Sequence, residues 1–237
     1  MPSSRLDPST LKAIFLDAAG TLIHLKEPVG VTYSRFGQEH GLEFDAPSLE
    51  TAFRSAWKSL PQPQHQGTPP LDDDKGWWRE LVSRCFETLN GSPFPESQFE
   101  PLFEHLYAYY AQSEAWQVFP DVLPALDHLR QHYPLYILSN FDRRLRRLLN
   151  ELGLSPFFEG QVISSEVGAS KPHPLIFSAA AKLANCPSSQ CLHIGDDPKC
   201  DLEGAAKSGF QAILLERRSQ TLLDIAQKIA PFPVHDP

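Results

Sequence analysis

The chain is poor in sulfur, with four cysteines and one methionine in 237 residues. Cys85, Cys186, Cys191 and Cys200 form no Cys-x-x-Cys pair, so their spacing supports neither a zinc site nor a disulfide framework. No apolar run approaches the roughly 20 residues needed to span a bilayer. Residues 1–12 contain no apolar core of signal-peptide length. A cytoplasmic protein with no membrane partner is expected. Positive charge is also scarce: 21 Lys and Arg stand against 29 Asp and Glu, a net charge of −8. That balance argues against a nucleic-acid partner. It leaves an anionic small molecule open, because such a ligand feels local donors and metal rather than net charge. No internal repeat is present, and no feature speaks to oligomeric state. The hydrophobic fraction of 41% is enough for a packed core, and the 22 prolines fall mostly at element boundaries and in one linker.

The stretch with most chemical content is Ala13 to Ile23, where an apolar run ends at Asp17 and is followed by Gly20 and Thr21. A short buried strand ending in a carboxylate is how open α/β sheets present a reactive group. Gly20 permits a sharp turn and close approach to a ligand. Thr21 adds a hydroxyl and a backbone donor at the same place.

The polar stretch before residue 11 reads as loose. Between about Glu27 and Trp116 the pattern is helical, with no strand. Val29, Tyr33 and Phe36 begin one stripe, Leu49 to Leu60 make a second, Trp78 to Leu89 a third and Phe99 to Tyr110 a fourth. Pro61 to Pro70, with its prolines and glutamines, reads as an exposed linker, and Asp72-Asp73-Asp74 as a solvated helix start. The four stripes predict a helical bundle inserted after the first strand.

From Trp116 onward strands and helices alternate. Strands are predicted at Leu135–Leu138, Gln161–Ser164, Cys191–Ile194 and Ala212–Leu215. Helices lie between them, and a terminal helix is predicted over Gln220–Ile229. Asp121 and His173 read as helix caps, with Pro174 in the first turn of its helix. The arginines Arg143, Arg144, Arg146 and Arg147 read as a solvated basic face. Strand–helix alternation of this kind predicts a parallel, three-layer α/β sheet.

Four strand ends then carry polar groups: Asp17, Ser139, Lys171 (after a loop), and Asp196 with Asp197. In an open parallel sheet these ends face one crevice. The residue types suit a phosphoryl group. Asp17 could act as nucleophile and form an acyl-phosphate. Ser139 and backbone donors near Asn140 could hold non-bridging oxygens, and Lys171 could neutralise them. Asp17, Asp196 and Asp197 would repel one another without a cation, and Mg²⁺ takes such oxygen ligands. Asp201 could support the metal from behind.

With these residues in place, the chain resembles the haloacid dehalogenase-like (HAD) hydrolases. The resemblance rests on four motifs in order: Asp17-Ala-Ala-Gly-Thr21, Ser139-Asn140, Lys171, and Gly195-Asp196-Asp197-Pro-Lys-Cys-Asp201. It covers about 10–24 and 116–235. It implies a Rossmann-like core over 1–24 and 116–237, with an inserted helical cap over 25–115. It also implies Asp17 as nucleophile, Mg²⁺ on Asp17, Asp196 and the carbonyl of Ala19, and Ser139 and Lys171 on the phosphate of a small phosphorylated substrate.

The departure is Ala19. Phosphatases of the family carry a second Asp there, which protonates the leaving group and then activates water. Losing a positioned acid/base lowers a rate by about 10²–10⁴. His24 and His65 are the histidines that could substitute, and His24 reads as a surface residue. Two other functions stay open. One is a metal-independent 2-haloacid dehalogenase, with Arg35 or Arg54 on the substrate carboxylate. The other is a non-catalytic relative that binds a phosphorylated ligand or a partner.

Overall fold

A computed structural model describes residues 6–230. Five strands form one sheet in the order β5-β4-β1-β6-β7: β1 (Ala13–Leu16), β4 (Leu135–Ser139), β5 (Gly160–Ile163), β6 (Cys191–Gly195) and β7 (Gln211–Leu214). Every neighbouring pair is parallel. β1 lies at the centre, with Phe15 opposite Tyr136 on one side and His193 on the other. The chain proceeds outward through β4 and β5, then returns to the other side for β6 and β7. β1 is therefore the switch point, where the carboxyl ends of diverging strands leave a crevice.

The central strands are apolar almost throughout because both sheet faces are covered. All four residues of β1 and all five of β4 and β6 are buried. The covering helices include α5 (Val122–Leu129), α6 (Arg144–Glu151), α7 (Ser164–Val167), α8 (Pro174–Leu183), α9 (Gly204–Lys207) and α10 (Leu222–Ile229). On one face Phe15 stacks on Tyr136 at 5.0 Å and meets Phe210 at 5.6 Å, with Phe177 and Ile176 of α8 in the same cluster. The result is the expected three-layer α/β architecture.

The helices α1 (Val29–Glu39), α2 (Ala46–Ser59), α3 (Lys75–Asn90) and α4 (Glu96–Tyr109) have a separate core. Tyr33 stacks on Phe86 at 5.8 Å, among Leu49, Leu81, Phe99 and Leu102. By internal contacts the chain divides into two compact units. The α/β unit takes the chain up to His24, Gln64–Pro69 and everything from Val118. The helical unit takes Leu25–Pro63 and Pro70–Gln117.

Several local expectations change. Two short strands, β2 (Ile23–Leu25) and β3 (Trp116–Val118), pair as a sheet of their own. Each has three residues, too few to display a period of two. The stretch before residue 11 lies partly outside the described residues, but Pro8–Thr10 forms a turn capped by Asp7 and tied to the Gln211 side chain. Asp121 does precede α5, but its carboxylate makes no cap there. It accepts two hydrogen bonds from Arg217, at 2.8 and 2.7 Å, and one from the N–H of Leu222 at the start of α10. His173 does cap α8, its Nδ1 accepting from Leu175 N–H. Asp72 accepts from Gly76 N–H at the start of α3. The α6 arginines are matched with acids: Arg143 and Arg146 with Glu166, Arg144 with Asp142 and Arg147 with Glu151. No helix among the described residues is long and apolar enough to cross a membrane.

Candidate active site

Asp17 leaves β1 with its N–H donating to Ile194 O at 2.9 Å, still in sheet register, and its side chain is buried. The chain then turns tightly, with Thr21, Leu22 and Ile23 N–H all donating to Ala18 O. Gly20 makes the turn possible at φ +88°, and a Cβ there would lie 2.4 Å from Asp196 Oδ2. The same glycine therefore permits both the turn and the approach of Asp196. Thr21 Oγ1 donates to Asp196 Oδ1 at 3.2 Å, joining the first and last motifs.

Lys171 is the hub. It is 2% exposed, so its charge requires partners. Its Nζ donates to Asp17 Oδ1 at 2.8 Å, Leu138 O at 2.9 Å and Asp201 Oδ1 at 2.6 Å, which uses all three protons. Ser139 Oγ donates to the same Asp17 oxygen at 2.9 Å. Asp201 sits in the first turn of Pro198–Glu203, a π-helical segment that follows Asp197. It also accepts from His193 Nε2 at 2.8 Å and Asp197 N–H at 2.9 Å. A Cβ on Gly195 would collide with it at 2.2 Å, so glycine is required there too.

The electrostatics follow from this crowding. Burial pushes the Asp17 carboxyl up to about 6, with Lys171 opposing and Asp201 and Asp196 adding to the rise. Burial alone would raise Asp201 and lower Lys171. Their attraction wins at both groups, with His193 also holding Asp201 down and Asp17 also holding Lys171 up. One oxygen each from Asp17, Asp196 and Asp201 lies within 4.8 Å of the others.

The residues singled out from sequence are distributed unevenly. Asp17, Ser139, Lys171, Asp196 and Asp201 converge, and Thr21 joins them through Asp196. Ala19 contributes a methyl group and a half-exposed turn position paired with Ile23. Asn140 turns away from the carboxylates. Its amide accepts from Lys171 N–H at 2.6 Å and donates to Lys171 O at 2.9 Å, so it holds the lysine backbone. Asp197 does not join the acidic group, because its carboxylate caps Lys199 and Cys200 N–H at 2.8 and 2.7 Å. His24 packs its ring on Phe119 at 4.5 Å. Arg35 pairs with Glu27 and Arg54 with Glu50 within the helical unit.

Sequence reasoning missed His193, which is buried in β6 with Nδ1 finding no hydrogen-bond partner among the described residues. The available signal was a lone polar side chain in an otherwise apolar strand, eight residues before Asp201.

A buried aspartate at the switch point of a parallel sheet, bridged by lysine to a second aspartate, defines a class of hydrolytic α/β proteins. The family model for haloacid dehalogenase-like hydrolases matches residues 11–209. The bovine haloacid dehalogenase-like hydrolase domain-containing protein 3 is 33% identical over 211 residues, covering 86% of this chain and 82% of the relative. The chain belongs to the haloacid dehalogenase-like hydrolases. Among solved structures, a HAD phosphatase from Thermococcus onnurineus matches with TM-score 0.62 at 23% identity, covering 92% of this chain and 97% of its own. An L-2-haloacid dehalogenase from Xanthobacter autotrophicus matches with TM-score 0.63 at 21% identity, covering 93% and 85%. At these identities the likeness is one of fold, and it includes both chemistries.

Proposed function

We propose that this chain is a Mg²⁺-dependent phosphohydrolase acting on a small phosphorylated substrate in the cytoplasm, with Asp17 as nucleophile and with slow turnover. The observation that carries the reading is the environment of Asp17. This buried carboxylate has a hydroxyl and an ammonium on one oxygen and two further carboxylates within 4.8 Å.

Three carboxylates around one internal ammonium leave the site short of positive charge, and oxygen donors of this kind suit Mg²⁺. Asp17 and Asp196 would hold the ion, with the Ala19 carbonyl beside them and Asp201 behind. Bound there, Mg²⁺ would supply charge neutralisation for phosphoryl oxygens. Asp17 attacks phosphorus and the ester P–O bond breaks, leaving an acyl-phosphate and an alkoxide that needs a proton. Ser139 and Lys171 stabilise the phosphoryl oxygens by each exchanging its bond to Asp17 Oδ1 for one to the phosphoryl group, with the Lys171 charge neutralising it. Water then attacks the acyl-phosphate, releasing phosphate and restoring Asp17. Ala19 can neither donate the first proton nor take the second, and this is the reason for slow turnover. The helical unit, read as a cap, would select the substrate.

The test is hydrolysis of an aryl phosphate with Mg²⁺ by the wild type and by Ala19→Asp. The expected result is slow wild-type release of phosphate, abolished by chelator, and a gain of at least about tenfold in the variant. Absence of phosphate release from both proteins would defeat the reading. Release of chloride from 2-chloropropionate in the presence of chelator would replace it with dehalogenation.

A further inference from the structure

Gln64 lies in the stretch that reads from sequence as an exposed linker, yet Gln64–Pro69 belongs to the α/β unit. The segment runs antiparallel to the loop that carries Lys171, with Gln64 bridged to Ala169. His65 and Gly67 N–H both donate to Gly168 O, at 3.0 and 3.1 Å. Gly168 has φ +73°, and a Cβ there would lie 2.4 Å from Thr68 O. Only glycine lets the two backbones come this close.

The Gln64 amide then grips the residue before the lysine. Its Nε2 donates to Ser170 O at 3.0 Å, and its Oε1 accepts from Ser170 N–H at 3.3 Å. Asn140 grips Lys171 in the same way, through its N–H and C=O. Two side-chain amides thus hold four backbone polar groups on consecutive residues, each imitating a strand edge. Ser170 is 1% exposed and Lys171 is 2% exposed, so these groups have little access to water as a substitute. The Nζ of Lys171 must meet Asp17, Leu138 and Asp201 within 2.6–2.9 Å at once. A shift of its backbone would break that convergence.

We infer that Gln64 is a positioning residue for Lys171, acting through the Ser170 backbone. Its kinetic consequence rests on the phosphohydrolase reading, whereas its effect on the lysine does not. The experiment uses the full chain with Gln64→Leu, Gln64→Glu and, as a control on the same segment, Gln66→Asn. Trace amine labelling by acetic anhydride, mapped by mass spectrometry, reports on each lysine separately. In the wild type Lys171 should be the slowest lysine to label.

Gln64→Leu should raise Lys171 labelling about tenfold and leave the other lysines unchanged. It should lower the melting temperature by a few degrees, because the buried Ser170 N–H loses its acceptor, and lower kcat/KM for an aryl phosphate by about tenfold or more. Gln64→Glu keeps an acceptor for Ser170 N–H and should fall between wild type and Leu. Gln66→Asn should match the wild type. If labelling of Lys171 is unchanged in both Gln64 variants, or if all lysines speed up together, the inference is overturned. If Lys171 labelling rises selectively while no variant, wild type included, hydrolyses phosphate, the positioning role stands and the phosphohydrolase reading fails.

Discussion

Lys171 Nζ stands 2.6 Å from Asp201 Oδ1 and 2.8 Å from Asp17 Oδ1, so one ammonium joins two carboxylates that lie 184 residues apart (201 − 17) in the chain. All three side chains are at most 9% exposed. Removing the cation leaves both carboxylates buried without their ammonium, held by the Ser139 hydroxyl, His193 Nε2 and Asp197 N–H donors, and breaking a buried pair in this way costs about 3–5 kcal/mol. Lys171→Met should lose that much in urea unfolding at pH 7. Part of the loss should be recovered toward pH 5, as the carboxyls escape their charge by protonation. Equal losses at both pH values would contradict the pairing.

The raised carboxyl of Asp17 has a definite sign in its pH dependence. Its value rises from 3.8 to about 6 on folding in the absence of metal, chiefly by burial. Between these values the folded state holds a proton that the unfolded state has released. Stability of the metal-free protein should therefore fall, by up to about 3 kcal/mol from this group, as pH rises from about 4 past 6. Asp17→Asn should flatten that slope. The acid limb of kcat/KM should lie at or below about 6, because the nucleophile must be ionised and bound Mg²⁺ favours ionisation.

Adjacent aspartates should behave differently. Asp196 faces Asp17 and Thr21, whereas Asp197 is committed to two backbone N–H groups. Millimolar Mg²⁺ should raise the melting temperature of the wild type and of Asp197→Asn, because a ligand that binds the native state stabilises it. Asp196→Asn should lose that shift. Asp197→Asn should cost well under the ~1 kcal/mol of a lost helix cap, because the Asn Oδ1 still accepts from the same N–H groups. A lost Mg²⁺ response in the Asp197 variant would return that residue to the metal group.

Asp121 and Arg217 form a bidentate pair, each with 15% of its side chain exposed. Arg217 also lies over the Phe119 ring at 4.0 Å and donates to the Thr21 carbonyl. Asp121→Ala removes acceptors from the guanidinium and from Leu222 N–H together. The expected cost is about 2–4 kcal/mol in urea unfolding, well above the median for surface ion pairs. A loss within about 0.5 kcal/mol would show that water replaces the carboxylate.

The elements that were legible in the sequence share a local cause. Strands β1, β4, β5, β6 and β7 and helices α1 to α4 announce themselves by apolar runs and helical spacing within a dozen residues, because burial of one face selects those patterns. Asp17, Ser139 and Asp196 were legible because each ends or follows such a run, and Lys171 because it lies in the loop region after one, and a parallel sheet brings its carboxyl ends to one edge. Ala19 was equally legible, as one missing carboxylate in a short motif. Tertiary structure decided what depends on partners distant in the chain. Asp121 serves Arg217 rather than its own helix, and Asn140 serves the backbone of Lys171. Gln64 crosses from an apparent linker to Ser170. β2 and β3 find each other across about ninety residues of chain. None of these has a periodic signature, because a hydrogen bond between remote residues leaves no trace in the spacing of either neighbourhood.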